Sequence, residues 1–532
     1  MKKILYSIFI LTIVLFAACK SNKKVNPTPV VTGPDAPGST LDKIKDSIFL
    51  YAKEDYLWYS SLPDYKTFNP RAFTAGDDMS ALQKEVDALS QIAINPSTSK
   101  PYEYYSPDPG EAKYSFIDDG TVSGELNGVI GDFGFAPLYN DENDLRVKYV
   151  YPGSPADLQG IKRGYQITKI NGRTALSYDA PGYGTGTSAN LNFVVNAYSN
   201  SNTISMDLKK PDGTTLTVNN LAVATYTVNP VLTYKKFDAG SGKIVGYIVF
   251  NSFTSLSNAT PKLNEAFNYF TSTSSNDNLG PITDLVVDLR YNGGGYVSTA
   301  EYLDNLIVPS GKSGTLMYNT YYNDILTANK EVLLKNQWRK DQSSGEDYNY
   351  AQFDYSVAGN AVNFAKQGSL SISRVFFIVT GNTASASELT INNLRPNMDV
   401  QFIGKTSYGK PVGFFDIDIN KYELFIPEFS TKNSAGQGDY YGGFTPGSSG
   451  YPGIEDFDDV TKDFGDPTEG LLAHAISYVK TGTFSVKGQT IQSLAAQQRV
   501  MSIEAQNQAG KQLTKHKFNG MVFDKKLKLR NR

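Results

Sequence analysis

Two short segments carry residue types that could act together on an acyl group. Thr383-Ala384-Ser385-Ala386-Ser387-Glu388-Leu389 follows the apolar run Val375 to Val379, and its small residues leading into Glu388, Leu389, Ile391 and Leu394 predict a sharp strand-to-helix turn. A serine there, Ser385 or Ser387, meets unpaired amides and the positive end of a helix dipole, which favour developing negative charge. The same hydroxyl could serve only as an N-cap, and the run lacks the Gly-x-Ser-x-Gly form of a nucleophile elbow. The second segment, Gly404 to Pro411, nearly makes a phosphate-binding loop, but Pro411 stands where a magnesium-binding Ser or Thr is required. What remains is Lys410 between Gly409 and Pro411, beside Tyr408 and the apolar run Val412 to Phe415. Burial there would lower its pKa and leave a neutral amine able to take a proton from serine. A third segment, Asp288-Leu289-Arg290-Tyr291-Asn292-Gly293-Gly294-Gly295, ends in glycines whose amides no side chain obstructs; a turn at a strand end can converge them on an oxygen anion. A tight structural loop explains the glycines equally well, and dinucleotide-fingerprint spacing is absent.

Composition narrows the chemistry. The 532 residues contain 1 Cys and 2 His, which excludes an intramolecular disulfide and any multi-Cys zinc or iron-sulfur site. His474 and His516 lie near the carboxyl end, so a hydrolase built from the segments above needs Lys, Asp or Glu as its base, and a Ser/Lys pair is the simplest arrangement on offer. A net charge of -3 gives no reason to expect nucleic acid as a partner. Asp416-Ile417-Asp418-Ile419-Asn420 alternates like a calcium loop, but Lys421 occupies the position that needs Gly, so it reads as a strand with one acidic face. No metal and no cofactor is expected.

The elements that must position these residues follow from patterning. Lys2 and Lys3, the apolar run Ile4 to Phe16 and Ala17-Ala18-Cys19 read as an export signal and resemble a bacterial lipoprotein signal, with Cys19 the lipidated residue. Residues 19–39 form a Pro/Asn/Ser/Gly/Thr-rich tether. Helical spacing then recurs from Leu41 to Tyr59 and from Met79 to Ile94, giving a helical domain over 40–117. Over 118–215, short alternating segments broken by Pro152-Gly153, Gly160, Gly164 and Asn171-Gly172 predict a strand-rich module. The buried-strand runs Ile244 to Phe250, Leu285 to Leu289 and Val375 to Val379, with a crossover helix from Ala259 to Thr271, predict an α/β core over 216–490. Ligands of such a sheet sit beyond the strands' carboxyl ends, where the glycine and serine segments lie. His474, on a predicted helix from Glu469 to Val479, reads as structural, and 491–532 is an extension whose last 22 residues carry eight Lys or Arg, with no specific role favoured.

These residues carry two resemblances. The series Val147, Tyr151-Pro152-Gly153-Ser154-Pro155-Ala156, Gly160-Ile161, Gly164 and Ile170-Asn171-Gly172 resembles a circularly permuted PDZ domain; Gly134 and Phe135 would match the loop whose amides receive a peptide carboxylate. The set Asp288-Leu289-Arg290 with Gly293 to Gly295, Ser385-Ala386-Ser387-Glu388 and Tyr408-Gly409-Lys410, with 25 residues from Ser385 to Lys410, is similar to the carboxyl-terminal processing proteases. That resemblance implies a multidomain α+β protein with a helical segment, a PDZ-like module and a ClpP/crotonase-like α/β protease core. It implies Ser385 as nucleophile, Lys410 as base, and an oxyanion hole from the Ala386 amide and the Gly293 and Gly294 turn. Many relatives place a polar residue four positions after the lysine, where this chain has Phe414. Glu388, Ser387, Thr383 and Asp416 are the candidates to orient the amine instead. The expectation is thus a lipid-anchored serine endopeptidase of the cell envelope, on the periplasmic face of the outer membrane, acting on proteins or peptides. The alternative is a catalytically inactive envelope protein that binds peptide through its PDZ-like module.

Overall fold

The computed structural model describes residues 37–273, 277–341, 344–485, 503–513, 520–524 and 528–530. The signal-like run 1–18, Cys19, the tether up to residue 36 and His516 lie outside them.

A capping box opens the first helix, Thr40–Asp55: the Ser39 hydroxyl accepts from the Asp42 amide and the Asp42 carboxylate accepts from the Ser39 amide. This helix and Asp78–Ser90 bury Ile44, Ile48, Leu82 and Val86 in the same apolar cluster as Phe250, Leu285 and Phe377 of the core sheet. The helical segment therefore has no separate core. It also lends the strand Phe116–Asp118 to a three-stranded sheet with Ile417–Ile419 and Tyr422–Phe425.

The core sheet has six strands in the order Val231–Gly240, Lys243–Phe250, Asp284–Asp288, Arg374–Val379, Asp399–Gly404 and Gly453–Glu455. The first pair is antiparallel and every later pair is parallel. All five residues of Asp284–Asp288 are buried, as a strand covered on both faces requires. The helix Leu256–Thr271 makes the crossover between the second and third strands. Beside this sheet stands a four-stranded antiparallel one, Ala361–Asn363, Leu316–Tyr322, Phe429–Asn433 and Val412–Gly413. The core is thus not the ClpP/crotonase-like unit expected from the sequence: its interior is shared among a mixed sheet, an antiparallel sheet and the amino-terminal helices.

The strand-rich module is a five-stranded antiparallel sheet, Phe135–Asp141, Asp144–Val150, Gln166–Ile170, Thr203–Lys209 and Thr215–Ala222, with the helix Ala189–Ser199 packed on it. Phe135–Asp141 is an edge strand. Phe133, Tyr139, Leu191 and Val194 belong to a core of its own.

A buried ionic cluster joins module and core. Arg290 donates to Asp288 at 2.6 Å, Asp458 at 2.6 Å and Glu469 at 3.0 Å, and Arg163 of the module donates to the same Asp458 at 2.6 Å. Burial alone would push the Asp458 carboxyl up, but Arg163 and Arg290 hold it well below the usual carboxylate range. Removing one side of such a buried pair costs about 3–5 kcal/mol, because the remaining charges lose their partner. Arg290→Ala should therefore lower the urea midpoint by an amount equivalent to about 3–5 kcal/mol. A loss below about 1 kcal/mol, the range of exposed pairs, would show that the cluster does not hold the fold.

Candidate active site

The serine turn is built against its own backbone preference. Ser385 is the N-cap of the helix Ala386–Leu394 and sits at φ 58°, ψ -106°, a region that costs a non-glycine residue about 1–3 kcal/mol. The surroundings enforce it. The Glu388 carboxylate accepts the Ser385 amide at 3.0 Å, the Ser387 hydroxyl donates to the Asn292 carbonyl at 3.0 Å, and the Thr383 hydroxyl donates to the Leu289 carbonyl at 2.7 Å. Ala386 is the first helical residue, so its N–H has no intrahelical acceptor. Ser385 is completely buried, and its Oγ has no hydrogen-bond partner among the described residues.

The lysine loop is tied to the same carboxylate. One Glu388 oxygen accepts both the Ser385 amide and the Lys410 amide at 2.8 Å; the other accepts the Ser407 hydroxyl at 2.5 Å and the Gly409 amide at 2.7 Å. The amino-terminal segment braces the loop from outside. The Tyr114 hydroxyl donates to the Gly409 carbonyl at 2.6 Å, Lys113 Nζ donates to the same oxygen at 3.1 Å, and the Tyr408 hydroxyl donates to the Lys113 carbonyl at 2.6 Å. Gly409, at φ 80°, faces backbone of Tyr441 and Gly443 where a Cβ would clash, so only glycine fits before Lys410.

Lys410 is completely buried, with its Nζ 3.6 Å from the centroid of the Phe414 ring. Burial pushes its pKa well below the usual lysine value; Glu103, Glu388 and Glu428 act in the opposite sense and Lys113 reinforces the burial. The neutral amine is the form a general base needs. Its neighbour Lys113 is brought down to about 8, again mainly by burial.

The glycine turn faces the serine helix. Gly294 has φ 109°, and a Cβ built on it would lie 3.0 Å from the Ala386 nitrogen, so the two candidate oxyanion segments adjoin. The Gly294 amide itself is held by the Asn292 side chain at 2.9 Å.

The structure thus brings Ser385, Ala386, Gly293, Gly294, Glu388 and the Lys410 loop together. Ser387 and Thr383 brace the turn through the backbone of 289–292 rather than the lysine. Asp416 is removed from this role: it pairs with Arg339 at 3.3 Å and accepts the Tyr350 hydroxyl. In the module, the Gly134 amide is already taken by the Asp132 carboxylate at 2.7 Å, so it is not offered to a peptide carboxylate in this conformation. Phe135 lies in the edge strand, its carbonyl accepting the Tyr198 hydroxyl. His474 is held by Asp456 at 2.9 Å and Ser485 at 2.7 Å, away from these loops. Sequence pattern assigns no role to Glu103, Lys113 and Tyr114, which follow the two predicted helices within 40–117; the acidic and basic residues set among Tyr102, Tyr104, Tyr105 and Tyr114 are the available signal.

A serine on a strained turn, a buried lysine on a loop fixed to that turn, and a glycine turn across from both define a serine-type endopeptidase with a Ser/Lys dyad. Residues 244–427 match peptidase family S41. This finding also replaces the expected ClpP/crotonase-like core with an S41-type peptidase core carrying a PDZ-like module. No curated protein matches the chain. Among solved structures, an S41 protease of Bacteroides fragilis is 22% identical, with 85% of this chain and 99% of that one covered and a TM-score of 0.51. The photosystem II D1 carboxyl-terminal processing protease is 16% identical over 77% of this chain and 92% of that one, with a TM-score of 0.39.

Glu388 emerges as a positioning residue. Glu388→Gln removes a carboxylate that raises the Lys410 pKa, so the acid limb of the kcat/KM profile should move to lower pH, while Glu388→Ala, which strands four donors, should lower kcat/KM by at least about 100-fold. A purely structural role would appear as a lower Tm in both variants with the acid limb unmoved.

Proposed function

We propose that Ser385 is the nucleophile and Lys410 the general base of an endopeptidase acting on proteins or peptides in the cell envelope. The observation that carries this reading is the single Glu388 oxygen bound to the Ser385 amide at 3.0 Å and the Lys410 amide at 2.8 Å, which fixes the two residues' main chains side by side. The Lys410 amine takes the proton of Ser385 Oγ as that oxygen attacks the scissile carbonyl carbon. Charge moves onto the carbonyl oxygen, where the Ala386 amide and the Gly293 amide stabilise it, the Gly294 amide being held by Asn292. On collapse the C–N bond breaks, Lys410 returns the proton to the leaving amine, and water then hydrolyses the ester at Ser385 with Lys410 again acting as base. The Ser385 side chain must turn toward Lys410 for the first step, since its Oγ is unengaged in this conformation. The Phe414 ring beside Nζ, in place of a polar group, is the feature that favours the second reading, an inactive peptide-binding protein.

Cys19 supports lipid anchoring of this peptidase, with the tether holding the body off the membrane at the periplasmic face of the outer membrane. The PDZ-like module supports recruitment of substrate carboxyl termini, by strand addition at the edge Phe135–Asp141.

Ser385→Ala should bind an unstructured peptide as the parent protein does and lose its hydrolysis; equal hydrolysis by both proteins defeats the assignment. In the parent, kcat/KM should rise with pH as Lys410 loses its proton, with an apparent pKa well below the ~10.4 of free lysine. Lys410→Arg, which stays protonated, should be inactive across that range. An acid limb unchanged in Lys410→Arg would remove Lys410 from the reaction.

A further inference from the structure

The chain's own carboxyl-terminal extension lies in the places where a substrate would be expected. The strand Gly520–Val522 pairs in parallel with Gly294–Tyr296 of the glycine turn, and the Gly520 amide donates to the Gly293 carbonyl at 3.0 Å. On its other side, the Phe414 amide donates to the Met521 carbonyl at 2.9 Å and the Phe523 amide to the Phe414 carbonyl at 2.9 Å. Three residues are therefore wedged, by main-chain hydrogen bonds on both sides, between the candidate oxyanion turn and the residue four positions after Lys410. The Gly520 carbonyl oxygen is 2.2 Å, and the Ala386 nitrogen 3.0 Å, from the point a Gly294 Cβ would occupy, so this carbonyl flanks the oxyanion segments. Met521 and Val522 are buried, Met521 over Gly413.

The segment is anchored beyond the cleft. The Asp524 carboxylate accepts the Ser298 amide at 3.1 Å and the Ser298 hydroxyl, the Asp354 amide donates to the Lys528 carbonyl at 2.8 Å, and Arg530 pairs with Glu331. Upstream, the helix Ile503–Leu513 places Ala505, Ala509 and Leu513 on one face and buries them in the PDZ-like module's core with Phe135, Tyr139, Leu191 and Val194. Gln506 Nε2 donates to the Asn140 carbonyl at 3.1 Å. This helix covers the edge strand Phe135–Asp141, the strand to which a peptide would be added.

We propose that the carboxyl-terminal extension is an intramolecular occupant of both peptide-binding surfaces, its helix on the module's edge and its strand in the catalytic cleft, so that the full-length peptidase is latent until a substrate displaces it. An extended chain held by main-chain hydrogen bonds to the glycine turn and to Phe414 occupies the space a substrate strand needs, and Ser385 and Lys410 are both completely buried in this conformation. The proposal rests on the Ser/Lys reading for its effect on activity, but not for the position of the extension.

The test compares the full chain, a chain ending at Leu513, and the full chain with Met521→Asp and Val522→Asp, which expels the strand should truncation prevent folding. Each is assayed for casein hydrolysis and for binding of a fluorescent synthetic peptide of residues 518–532. The truncated and doubly substituted proteins should hydrolyse casein at least about 10-fold faster than the full chain and bind the peptide, which should inhibit them in competition with casein. The full chain should not bind it. Peptide binding by the opened proteins without hydrolysis in any of them upholds the occupancy and overturns the Ser/Lys reading. Opened proteins that keep the parent's circular dichroism, yet neither bind the peptide nor gain activity, overturn the proposal.

Discussion

An ammonium group loses most of its hydration when it enters a protein interior, and Lys410 enters completely. That loss dominates the site. Glu103, Glu388 and Glu428 act to restore the positive charge, but desolvation is the larger influence. Lys113, a second cation held to the same loop, opposes that charge further. The balance favours a neutral amine, and it holds only while the pocket stays dry. Tyr114, Tyr408 and Phe414 form its apolar walls, and the first of these comes from a segment nearly three hundred residues earlier in the chain. The amino-terminal helices are thus part of the chemistry: by sharing a core with the sheet they fix the wall that keeps water from the lysine.

The same dryness explains why one carboxylate can organise so much. Four donors, from Ser385, Ser407, Gly409 and Lys410, converge on Glu388. In a medium of low effective dielectric such charge-assisted bonds are short and strong, and together they offset the backbone strain of Ser385 at φ 58°. The serine turn and the lysine loop leave the carboxyl ends of neighbouring parallel strands, Arg374–Val379 and Asp399–Gly404. Sheet register brings the loops near each other, and Glu388 sets their final alignment.

The residues legible in the sequence were those whose neighbours along the chain reveal their role. Ser385 and Lys410 each follow a buried strand within a short, small-residue motif, and the glycines of 293–295 stand beside them for the same reason. The unread residues act across long separations. Glu103, Lys113 and Tyr114 reach Lys410 from another segment, and the Arg163–Asp458–Arg290 cluster joins three distant stretches, so local pattern carries no trace of either. Asp416 was a plausible orienting group by proximity in sequence, yet the period-two alternation that marks Ile417–Ile419 as a strand turns it toward Arg339 instead. Gly134 is expected as a donor from the resemblance to a PDZ domain; the Asp132 side chain two residues earlier takes that amide. The carboxyl-terminal tail carries little pattern because Met521-Val522-Phe523 is a single short apolar run among its lysines, and the helix before it is apolar on one narrow face.

The energetics of that tail follow from its being part of the same chain. Burying a Met or Val side chain is worth about 1.5–3 kcal/mol, and each net main-chain hydrogen bond about 0.5–1.5 kcal/mol, so the strand alone would be a weak ligand if added as a free peptide. Tethering changes this, because a linked segment competes at an effective concentration set by its connection rather than by the bulk solution. A free carboxyl terminus arriving at micromolar concentration is outcompeted at either surface taken singly. A substrate that first takes the module's edge strand would remove the helix, and with it part of the hold on the strand in the cleft, while gaining the same tethering advantage for its own downstream residues. Opening by that route selects for chains long enough to reach from the module to Ser385, which makes length and an accessible carboxyl end the properties the arrangement can discriminate.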